Sequence, residues 1–245
     1  MTSSFNQAAG RLMVALDYPA VDEARNLIKS LEDIPCYMKI GMQLYYTAGP
    51  DFVRELKNLG YSVFLDLKMH DIPNTVKGGA NSITRLGVDM FNVHAAGGLK
   101  MMSAAREGAR EALEANSSLK MPLIIAVTQL TSTNQGMLNE EIGIPGTVED
   151  AVVSYAELTK KAGLDGVVAS PLEVKSIKER CGLHFQTVTP GIRPKGSAAG
   201  DQSRTLTPGE AMRQGTDFIV VGRPITAAPS PREALEQIIE EMKLS

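Results

Sequence analysis

Eight short runs of apolar and β-branched residues alternate along this chain with stretches of helical periodicity, at intervals of roughly 30 residues. The runs occupy residues 11–17, 36–41, 62–68, 90–95, 123–130, 166–170, 186–192 and 218–224. Such continuous apolar runs are typical of parallel strands, which are covered on both faces. Eight units in 245 residues match the number and typical length of a (β/α)8 barrel. We therefore predict an α/β fold, a TIM barrel, as a single domain over residues 1–245.

An open, doubly wound sheet is the alternative arrangement of alternating strands and helices. To resemble a dinucleotide-binding fold it would need a G-x-G-x-x-G turn after an early strand, and the sequence contains none. The helical stretches carry start signals at residues 49–51, 147–150 and 230–233, the last of them a full S-x-x-E box. No linker divides the chain, which favours a single barrel.

Composition and charge exclude several classes of function. Lys plus Arg (25) against Asp plus Glu (28) leaves a net charge of −3, too close to neutral for a nucleic-acid-binding protein. No apolar run approaches the roughly 18 residues of a membrane span, and residues 1–10 lack the features of a signal peptide. We therefore expect a cytoplasmic protein that binds neither nucleic acid nor membrane. Cys36 and Cys181 form no C-x-x-C motif and are interpreted as buried free thiols.

The third run leads into a cluster of charges in the sequence FLDLKMHDIPNTV. Asp66 and Lys68 are two residues apart on a strand, so their side chains project from the same face. Asp71 follows beyond the strand end, and Pro73 turns the chain into a helix that begins near residue 74. Taken alone, a D-x-K-x-x-D cluster is more often a solvated ion pair that contributes under about 1 kcal/mol.

Charged or polar residues also end the other runs, and catalytic groups of barrel enzymes gather at the carboxyl ends of strands. These residues are Asp17, Lys39, Asp66, Lys68, His94, Thr131, Ser170, Arg193 and Arg223. Lys39 stands out because it lies inside the run CYMKIG, where an unpaired ammonium is costly to bury. Lys39, Asp66, Lys68 and Asp71 alternate in sign, so each carboxylate can be flanked by ammonium groups that keep it ionised. Such an array suits a substrate that loses an anionic group and is protonated where that group left.

Two glycine-containing strand ends near the C-terminus, TPGIRPKG and VVGRPIT, indicate a phosphate site. Glycine lets backbone N–H groups approach phosphate oxygens, and Arg193 or Arg223 can add charge-assisted hydrogen bonds. Barrels often bind phosphate after strands seven and eight, where both segments fall. The polar segments 131–146 and 195–207 are interpreted as loops that close over a ligand; the alternative is that they are long surface connections.

The sequence gives no support for a metal site or a covalent nucleophile. His94 has no second His or acidic partner at metal-ligand spacing, so it is interpreted as a residue that belongs to the core or supports the site. His70 is expected to order the turn after the third run, and His184 to lie on the surface. A G-x-S-x-G nucleophile elbow is absent.

Seven segments together resemble the orotidine 5′-phosphate decarboxylase family. They are FLDLKMHDIPNTV, VALD ending at Asp17, MKIG with Lys39, VTQLTS around Thr131, TPGIRP at Arg193, DQSRTLTP around Gln202 and VVGRPIT at Arg223. The likeness runs nearly from end to end, and no charged position departs from the family's pattern. It implies a barrel that converts orotidine 5′-monophosphate (OMP) to UMP in pyrimidine biosynthesis, as a homodimer and without metal or organic cofactor.

The resemblance also implies roles for individual residues. Lys68 would protonate C6 of the pyrimidine, Asp66 would lie against the departing carboxylate, and Lys39 would bridge Asp66 and the ribose. Asp71 and Thr75 would reach across the dimer interface, so that each site needs both subunits.

The remaining implied contacts hold the nucleotide. Asp17 would bind ribose hydroxyls, and Thr131 would meet the pyrimidine beneath a closing loop. The phosphate would be held by Gln202, Gly222 and Arg223, with Arg193 on the same loop system.

Two other functions stay open at this point. The related 3-keto-gulonate 6-phosphate decarboxylase type shares the D-x-K-x-x-D cluster but works through an enediolate held by Mg2+. It needs a carboxylate where this chain has Lys39. A catalytically silent barrel that binds phosphate as a sensor or scaffold has the same fold. Such a barrel would bind a nucleotide without turnover, and it gives no reason for four alternating charges at one mouth.

Overall fold

The structure, a computed structural model, describes residues 2–194 and 206–243. Its eight parallel strands form a closed barrel in which each strand pairs with the next and β8 pairs with β1. The strands are β1 (Leu12–Ala15), β2 (Tyr37–Gly41), β3 (Ser62–Met69), β4 (Met90–His94), β5 (Leu123–Val127), β6 (Gly166–Val168), β7 (Gln186–Thr189) and β8 (Phe218–Val221). The predicted (β/α)8 barrel is confirmed.

Helices connect the strands and cover the outside of the barrel. They are α1 (Ser3–Ala9), α2 (Val21–Ser30), α3 (Met42–Asn58), α4 (Pro73–Arg85), α5 (Gly98–Ala115), α6 (Val148–Lys161), α7 (Val174–Cys181), α8 (Pro208–Arg213), α9 (Arg223–Thr226) and α10 (Pro231–Lys243). Among these helices, none combines the length and the apolar character that crossing a bilayer requires.

Two layers of apolar side chains stabilise the barrel. The inner layer consists of Met13, Ala15, Phe64, Met90, Ile125, Val188 and Val220. The outer layer packs the strands against the helices and includes Leu65 and Phe91. Successive residues such as Phe64 and Leu65 therefore point to opposite layers. Because both faces of the sheet are covered, the strands are apolar throughout in the sequence.

All eight predicted strands are present, and most end earlier than the sequence indicated. The predicted run 123–130 ends as a strand at Val127, and the run 186–192 ends at Thr189. Beyond these points the chain leaves the ladder and its residues line a cavity, as described below.

Helix α3 differs most from its prediction, which placed a helix start at residues 49–51. The helix begins at Met42 and is interrupted at Gly49, whose φ of 67° and ψ of −168° are not helical. Pro50 then starts the second part, where its fixed φ is compatible with a first helical turn. The start predicted at Thr147 is confirmed, because Thr147 and Asp150 form a capping box.

Three matching ion pairs, here called the strand clamps, join neighbouring strands at the amino-terminal end of the barrel. Their carboxylates belong to Asp89, Asp165 and Asp217, which precede β4, β6 and β8. These accept hydrogen bonds from the backbone N–H groups of Val63, Ile124 and Thr187, respectively. They also pair with Lys57, Arg106 and Lys178, respectively. Each clamp thus joins one helix to two adjacent strands.

The predictions for the cysteines and for His184 are also confirmed. Cys36 and Cys181 are free and buried, and burial raises the pKa of Cys36 to about 12. The thiol of Cys36 is therefore protonated and unreactive at neutral pH. His184 is exposed between α7 and β7.

Candidate active site

A cavity of about 590 Å³ opens at the carboxyl end of the barrel. Eight of the predicted site residues line it, namely Asp17, Lys39, Asp66, Lys68, Thr131, Arg193, Gly222 and Arg223. Its apolar lining is formed by Ala15, Phe64, Val127, Val168 and Val220, together with Leu130. A concave apolar site with a few convergent polar groups is the usual form of a small-molecule site.

Lys39, Asp66 and Lys68 form the charged centre of this cavity. Nζ of Lys68 lies 2.7 Å from Oδ1 of Asp66, and Nζ of Lys39 lies 3.5 Å from Oδ2 of the same carboxylate. Lys39 also donates a hydrogen bond of 3.0 Å to Oδ1 of Asp17. The side chains of Lys39 and Asp66 are 9% and 13% exposed. Lys39 is therefore a buried and paired ammonium, not a lysine that reaches out to solvent.

Opposing effects set the pKa of Asp66. Burial raises it, but the charges of Lys39 and Lys68 and the hydrogen bonds from Lys68 and Asn92 outweigh burial and hold the pKa below its usual value. Asp66 is thus an anion at neutral pH, as the alternating charges predicted. The pKa of His94 is lowered by burial first and then by the charges of His70 and Lys68, so His94 is neutral at this pH.

Strand β3 is irregular where Asp66 and Lys68 leave it. Leu65 pairs with Phe91 and Met69 with Val93, so a step of four residues along β3 matches a step of two along β4. Lys68 has a left-handed backbone, with a φ of 52°. The two-residue spacing in the sequence correctly placed both side chains in one cavity, but it did not predict this bulge.

Gly41 leaves room for the contact between Lys39 and Asp17. A Cβ atom at position 41 would lie 3.2 Å from Oδ1 of Asp17 and 3.3 Å from Nζ of Lys39, which is tighter than ordinary contact. The φ of −89° at Gly41 suits any residue. The site therefore uses the missing side chain of this glycine and not its backbone freedom.

The arginines predicted to hold a phosphate line the same cavity. Gly191, with a φ of 80°, allows the turn after β7 that brings Arg193 to the cavity. Ile192 forms a β-bridge with Leu206, and the N–H of Arg193 donates to the Leu206 carbonyl. This bridge holds together the two ends of the predicted loop 195–207. Residues 195–205, including Gln202, lie outside the described part of the chain.

The other predicted loop, residues 131–146, has internal structure. Residues 129–132 line the cavity, whereas Leu138 is fully buried. The amide of Gln135 donates to the side chain of Asn139, and both side chains donate to the carbonyl of Gly146. The first residues of this loop thus line the cavity, and closure over a ligand stays a prediction.

Asp71 and Thr75 do not line the cavity of a single chain. Both are exposed, and Oδ1 of Asp71 accepts a hydrogen bond of 2.6 Å from the N–H of Ile72, just before α4. Among the ion pairs of the described residues, none includes Asp71. One chain therefore brings together three of the four alternating charges, and the expected flanking by ammonium groups holds for Asp66 alone. The roles predicted for Asp71 and Thr75 across a dimer interface stay predictions.

Some residues of the site were not predicted. Gln129, Ser132 and Thr226 line the cavity and lie within the motifs VTQLTS and VVGRPIT, so the signal was present. Asn92 is 1% exposed in the middle of β4 and contacts both Asp66 and Lys68. A polar residue inside an apolar run is the same signal that identified Lys39.

A second cavity, of about 580 Å³, lies at the opposite end of the barrel beside α2 and α3. Arg25, one of the charges that line it, already donates two hydrogen bonds to Glu55 and pairs with Asp22. The cavity at the carboxyl end is the better candidate, since its buried charges face the space that a ligand would fill.

The closed barrel and the buried Lys–Asp–Lys cluster at its carboxyl end place this chain among the (β/α)8-barrel enzymes. The sequence matches the family described as Orotidine 5′-phosphate decarboxylase / HUMPS family over residues 10–238. The chain belongs to this family.

Individual relatives are similar over nearly the whole chain. The orotidine 5′-phosphate decarboxylase of Streptococcus thermophilus is 51% identical over 93% of this chain and 95% of that protein. The one of Heliobacterium modesticaldum is 48% identical over 96% and 97%. The crystal structure of the Lactobacillus acidophilus decarboxylase superposes with a TM-score of 0.84 at 41% identity, covering 94% of this chain and 98% of that one. This chain is an enzyme of the type for which these relatives are named.

Proposed function

We propose that this enzyme decarboxylates OMP to UMP in pyrimidine biosynthesis, without a metal, and that Lys68 and Asp66 perform the chemistry. The names of the relatives support the reaction. The contact of 2.7 Å between Nζ of Lys68 and Oδ1 of the buried Asp66 is the observation that carries the mechanism. It puts a proton donor and a fixed negative charge side by side in the cavity.

The reaction breaks the bond between C6 of the pyrimidine and its carboxylate. CO2 leaves and the electron pair stays on C6, in the plane of the ring, where no π-system spreads the charge. Fixed charges near C6 are then the main means of lowering the barrier. In this proposal the ammonium of Lys68 stabilises the forming carbanion and transfers a proton from Nζ to C6. Lys68 afterwards regains a proton from solvent.

Asp66 acts on the substrate and not on the product. Because its pKa lies below the usual value, it is ionised beside the substrate carboxylate, and repulsion between like charges raises the energy of bound OMP. UMP lacks this carboxylate and escapes the repulsion. The apolar lining around Phe64 and Val127 excludes water and strengthens each of these electrostatic effects.

Lys39 and Asp17 hold the ribose in this proposal. The side chain of Asp17 is 57% exposed, so a ribose hydroxyl can reach it. Nζ of Lys39 lies between Oδ1 of Asp17 and Oδ2 of Asp66, at 3.0 and 3.5 Å. An ammonium in this position disfavours the Mg2+-dependent alternative, because a divalent cation there needs oxygen ligands and not a second positive charge.

In this proposal the phosphate of OMP is held by the segments that follow β7 and β8. The residues that hold it are Gly222, Arg223, Arg193 and Gln202. Thr131 contacts the pyrimidine. Binding energy from the phosphate, remote from C6, holds the reacting end of the substrate against Asp66. This explains why a barrel whose chemistry needs one acid and one lysine also carries two arginines in the same cavity.

We further propose a homodimer in which Asp71 and Thr75 complete the site of the partner subunit. Both residues are exposed and follow Lys68 closely in the chain, so they lie near the cavity without lining it. The test is to mix Lys68→Ala and Asp71→Ala proteins and allow subunits to exchange. A mixed dimer has one site with both native residues, so about a quarter of the parent activity should return. Mixed dimers that stay inactive would rule out a shared site.

The reaction itself is tested by following the ultraviolet absorbance of OMP with purified protein in EDTA, and then with Lys68→Ala. We expect turnover in EDTA and a loss of about 10³-fold or more in the variant. Turnover that EDTA abolishes would favour the Mg2+-dependent alternative. Binding of UMP without any turnover of OMP would identify the catalytically silent barrel.

A further inference from the structure

We propose that Asn92 is a positioning residue for this reaction, because its side-chain amide fixes both the carboxylate of Asp66 and the backbone of Lys68. The inference rests on the proposed function, since these two residues carry the chemistry there. Asn92 itself does not line the cavity. It acts through the two groups that do.

The place of Asn92 follows from the bulge in β3. A regular ladder that pairs Leu65 with Phe91 would continue by pairing Leu67 with Val93, but Val93 pairs with Met69. The bulge therefore removes Lys68 from the regular ladder of backbone hydrogen bonds. The N–H of Lys68 instead donates a hydrogen bond of 2.8 Å to Oδ1 of Asn92. This contact supports the left-handed conformation of Lys68, whose φ is 52°.

The other half of the amide holds Asp66. Nδ2 of Asn92 donates to Oδ1 of Asp66 at 2.7 Å, the same oxygen that accepts a hydrogen bond of 2.7 Å from Nζ of Lys68. The N–H of Lys68 can only donate, and the ionised Asp66 can only accept. The site thus requires one acceptor and one donor on separate atoms of a short side chain, which the neutral amide of Asn supplies and Leu or an ionised Asp does not.

This arrangement matters when the proton moves. Once Lys68 has given its proton to C6, its amine is a weaker donor to Asp66. The hydrogen bond from Asn92 keeps Oδ1 in place during that change, and it does not depend on the protonation of Lys68. Preorganised groups of this kind reduce the reorganisation that the reaction requires. Asn92 is 1% exposed, so water cannot easily replace it.

Two variants of Asn92 separate its two contacts. Asn92→Ala removes both and should lower kcat on the order of 10²-fold, with a much smaller change in KM, because the reacting groups lose their alignment. Asn92→Asp keeps an acceptor for the N–H of Lys68 but places a second carboxylate against Oδ1 of Asp66. Two such carboxylates share a proton, so the part of the acid limb of kcat/KM that belongs to Asp66 should move up by about one pH unit or more.

Other charged groups lie around Asp66, so the pH profile of each variant is compared with that of the parent. They are Asp17, Lys39, Lys68, His70 and His94, with Arg193 and Arg223 in the same cavity. The stability control is Thr187→Val, which removes a buried polar contact to the Asp217 clamp at the opposite end of the barrel. We expect it to lower Tm and to leave kcat within about twofold of the parent.

The outcomes distinguish this inference from the proposed function. If the parent protein does not convert OMP, the proposed function fails before Asn92 is tested. If the parent is active, a kcat of folded Asn92→Ala within about threefold of the parent overturns the positioning role. An acid limb unchanged in Asn92→Asp overturns it as well. If Asn92→Ala does not fold, the pH profile of Asn92→Asp alone decides whether Asn92 is a positioning residue.

Discussion

The two ends of the barrel use the same chemical pair, an aspartate with a lysine or arginine, for different purposes. At the amino-terminal end, each clamp carboxylate accepts a backbone N–H from the neighbouring strand and pairs with one cation from a helix. At the carboxyl end, the described hydrogen bonds to Asp66 come from side chains, those of Lys68 and Asn92. Lys39 approaches its other oxygen, and the group faces the cavity.

The difference lies in what each carboxylate holds in place. A clamp carboxylate fixes two strands relative to each other, so losing it affects the pairing of the backbone. Asp66 fixes only other side chains, although it is more buried than the clamp carboxylates. Its side chain is 13% exposed, against 23–31% for the three clamp aspartates. Because Asp66 holds no described backbone group in place, its charge is available to a ligand. Mutations at the carboxyl end should therefore lower activity more than stability. Mutations at the amino-terminal end should lower stability more than activity.

The largest effect on activity is expected from Asp66→Asn, which keeps the shape of the side chain and removes its charge. Repulsion of the substrate carboxylate is lost, and so is the ionic partner of Lys68. We expect kcat/KM for OMP to fall by about 10³-fold or more. Tm should fall less than in a clamp variant, because Lys39 keeps Asp17 as a partner and no backbone N–H of a neighbouring strand bonds to this carboxylate among the described contacts. Turnover within tenfold of the parent would mean that the charge of Asp66 is not what the site uses.

Asp217→Asn makes the same chemical change at the opposite end. Lys178, whose side chain is 8% exposed, would keep its hydrogen bonds to the carbonyls of Leu183 and Phe185 but lose its counter-ion. Leaving a buried cation without its partner costs about 3 kcal/mol, so Tm should fall by about 6–12 °C. We expect kcat to stay within twofold of the parent. A loss of turnover comparable to that of Asp66→Asn would show that the two ends are coupled.

Most of the fold and the charged centre could be predicted because they depend on residue type and local order. The strands are apolar runs that are covered on both faces, and the capping box of Thr147 is a local pattern. Lys39 was recognisable because an ammonium inside an apolar run needs a partner. Its partners are Asp17, just after β1, and Asp66 on β3, and only the pairing of β2 with both of these strands brings them together.

The rest depends on how neighbouring strands are aligned, and sequence patterns do not encode this. The role of Asn92 follows from a shift in register between β3 and β4, and no residue pattern within β3 predicts this shift. The first part of α3 follows Gly41 directly, without a side-chain cap, so its start had no signal. Asp71 was expected to join the charged array, but the turn into α4 leaves it exposed.

A smaller effect is expected from pH, which should change the free energy of unfolding in two separate ranges. The lowered pKa of Asp66 means that its contribution to stability is complete above the unfolded value of about 4 and is lost as pH falls through the folded pKa. The lowered pKa of His94 means that the unfolded chain binds a proton, below about pH 6.5, that the folded chain does not. Stability should therefore decrease on acidification in both ranges.

Melting temperatures measured from pH 3 to 8 for the parent, Asp66→Asn and His94→Gln test this assignment. His94→Gln should flatten the decrease between about pH 6.5 and 5, and Asp66→Asn should flatten the one below about pH 4. The acid limb of the parent's activity should not be due to Asp66 above about pH 4. Identical profiles for the parent and His94→Gln would contradict the role given to His94.

The smallest expected effect is also the most local one, Gly41→Ala. The added Cβ would approach Oδ1 of Asp17 and Nζ of Lys39 at 3.2 and 3.3 Å, so one of these atoms must shift by a few tenths of an ångström. Because the backbone of Gly41 suits Ala, Tm should hardly change, while kcat/KM should fall by roughly threefold to tenfold. Gly10→Ala is the matched control, since its φ of −64° also suits Ala and it lies in the turn between α1 and β1. Equal kcat/KM for both variants and the parent would mean that the geometry of the Lys39–Asp17 pair does not limit the reaction.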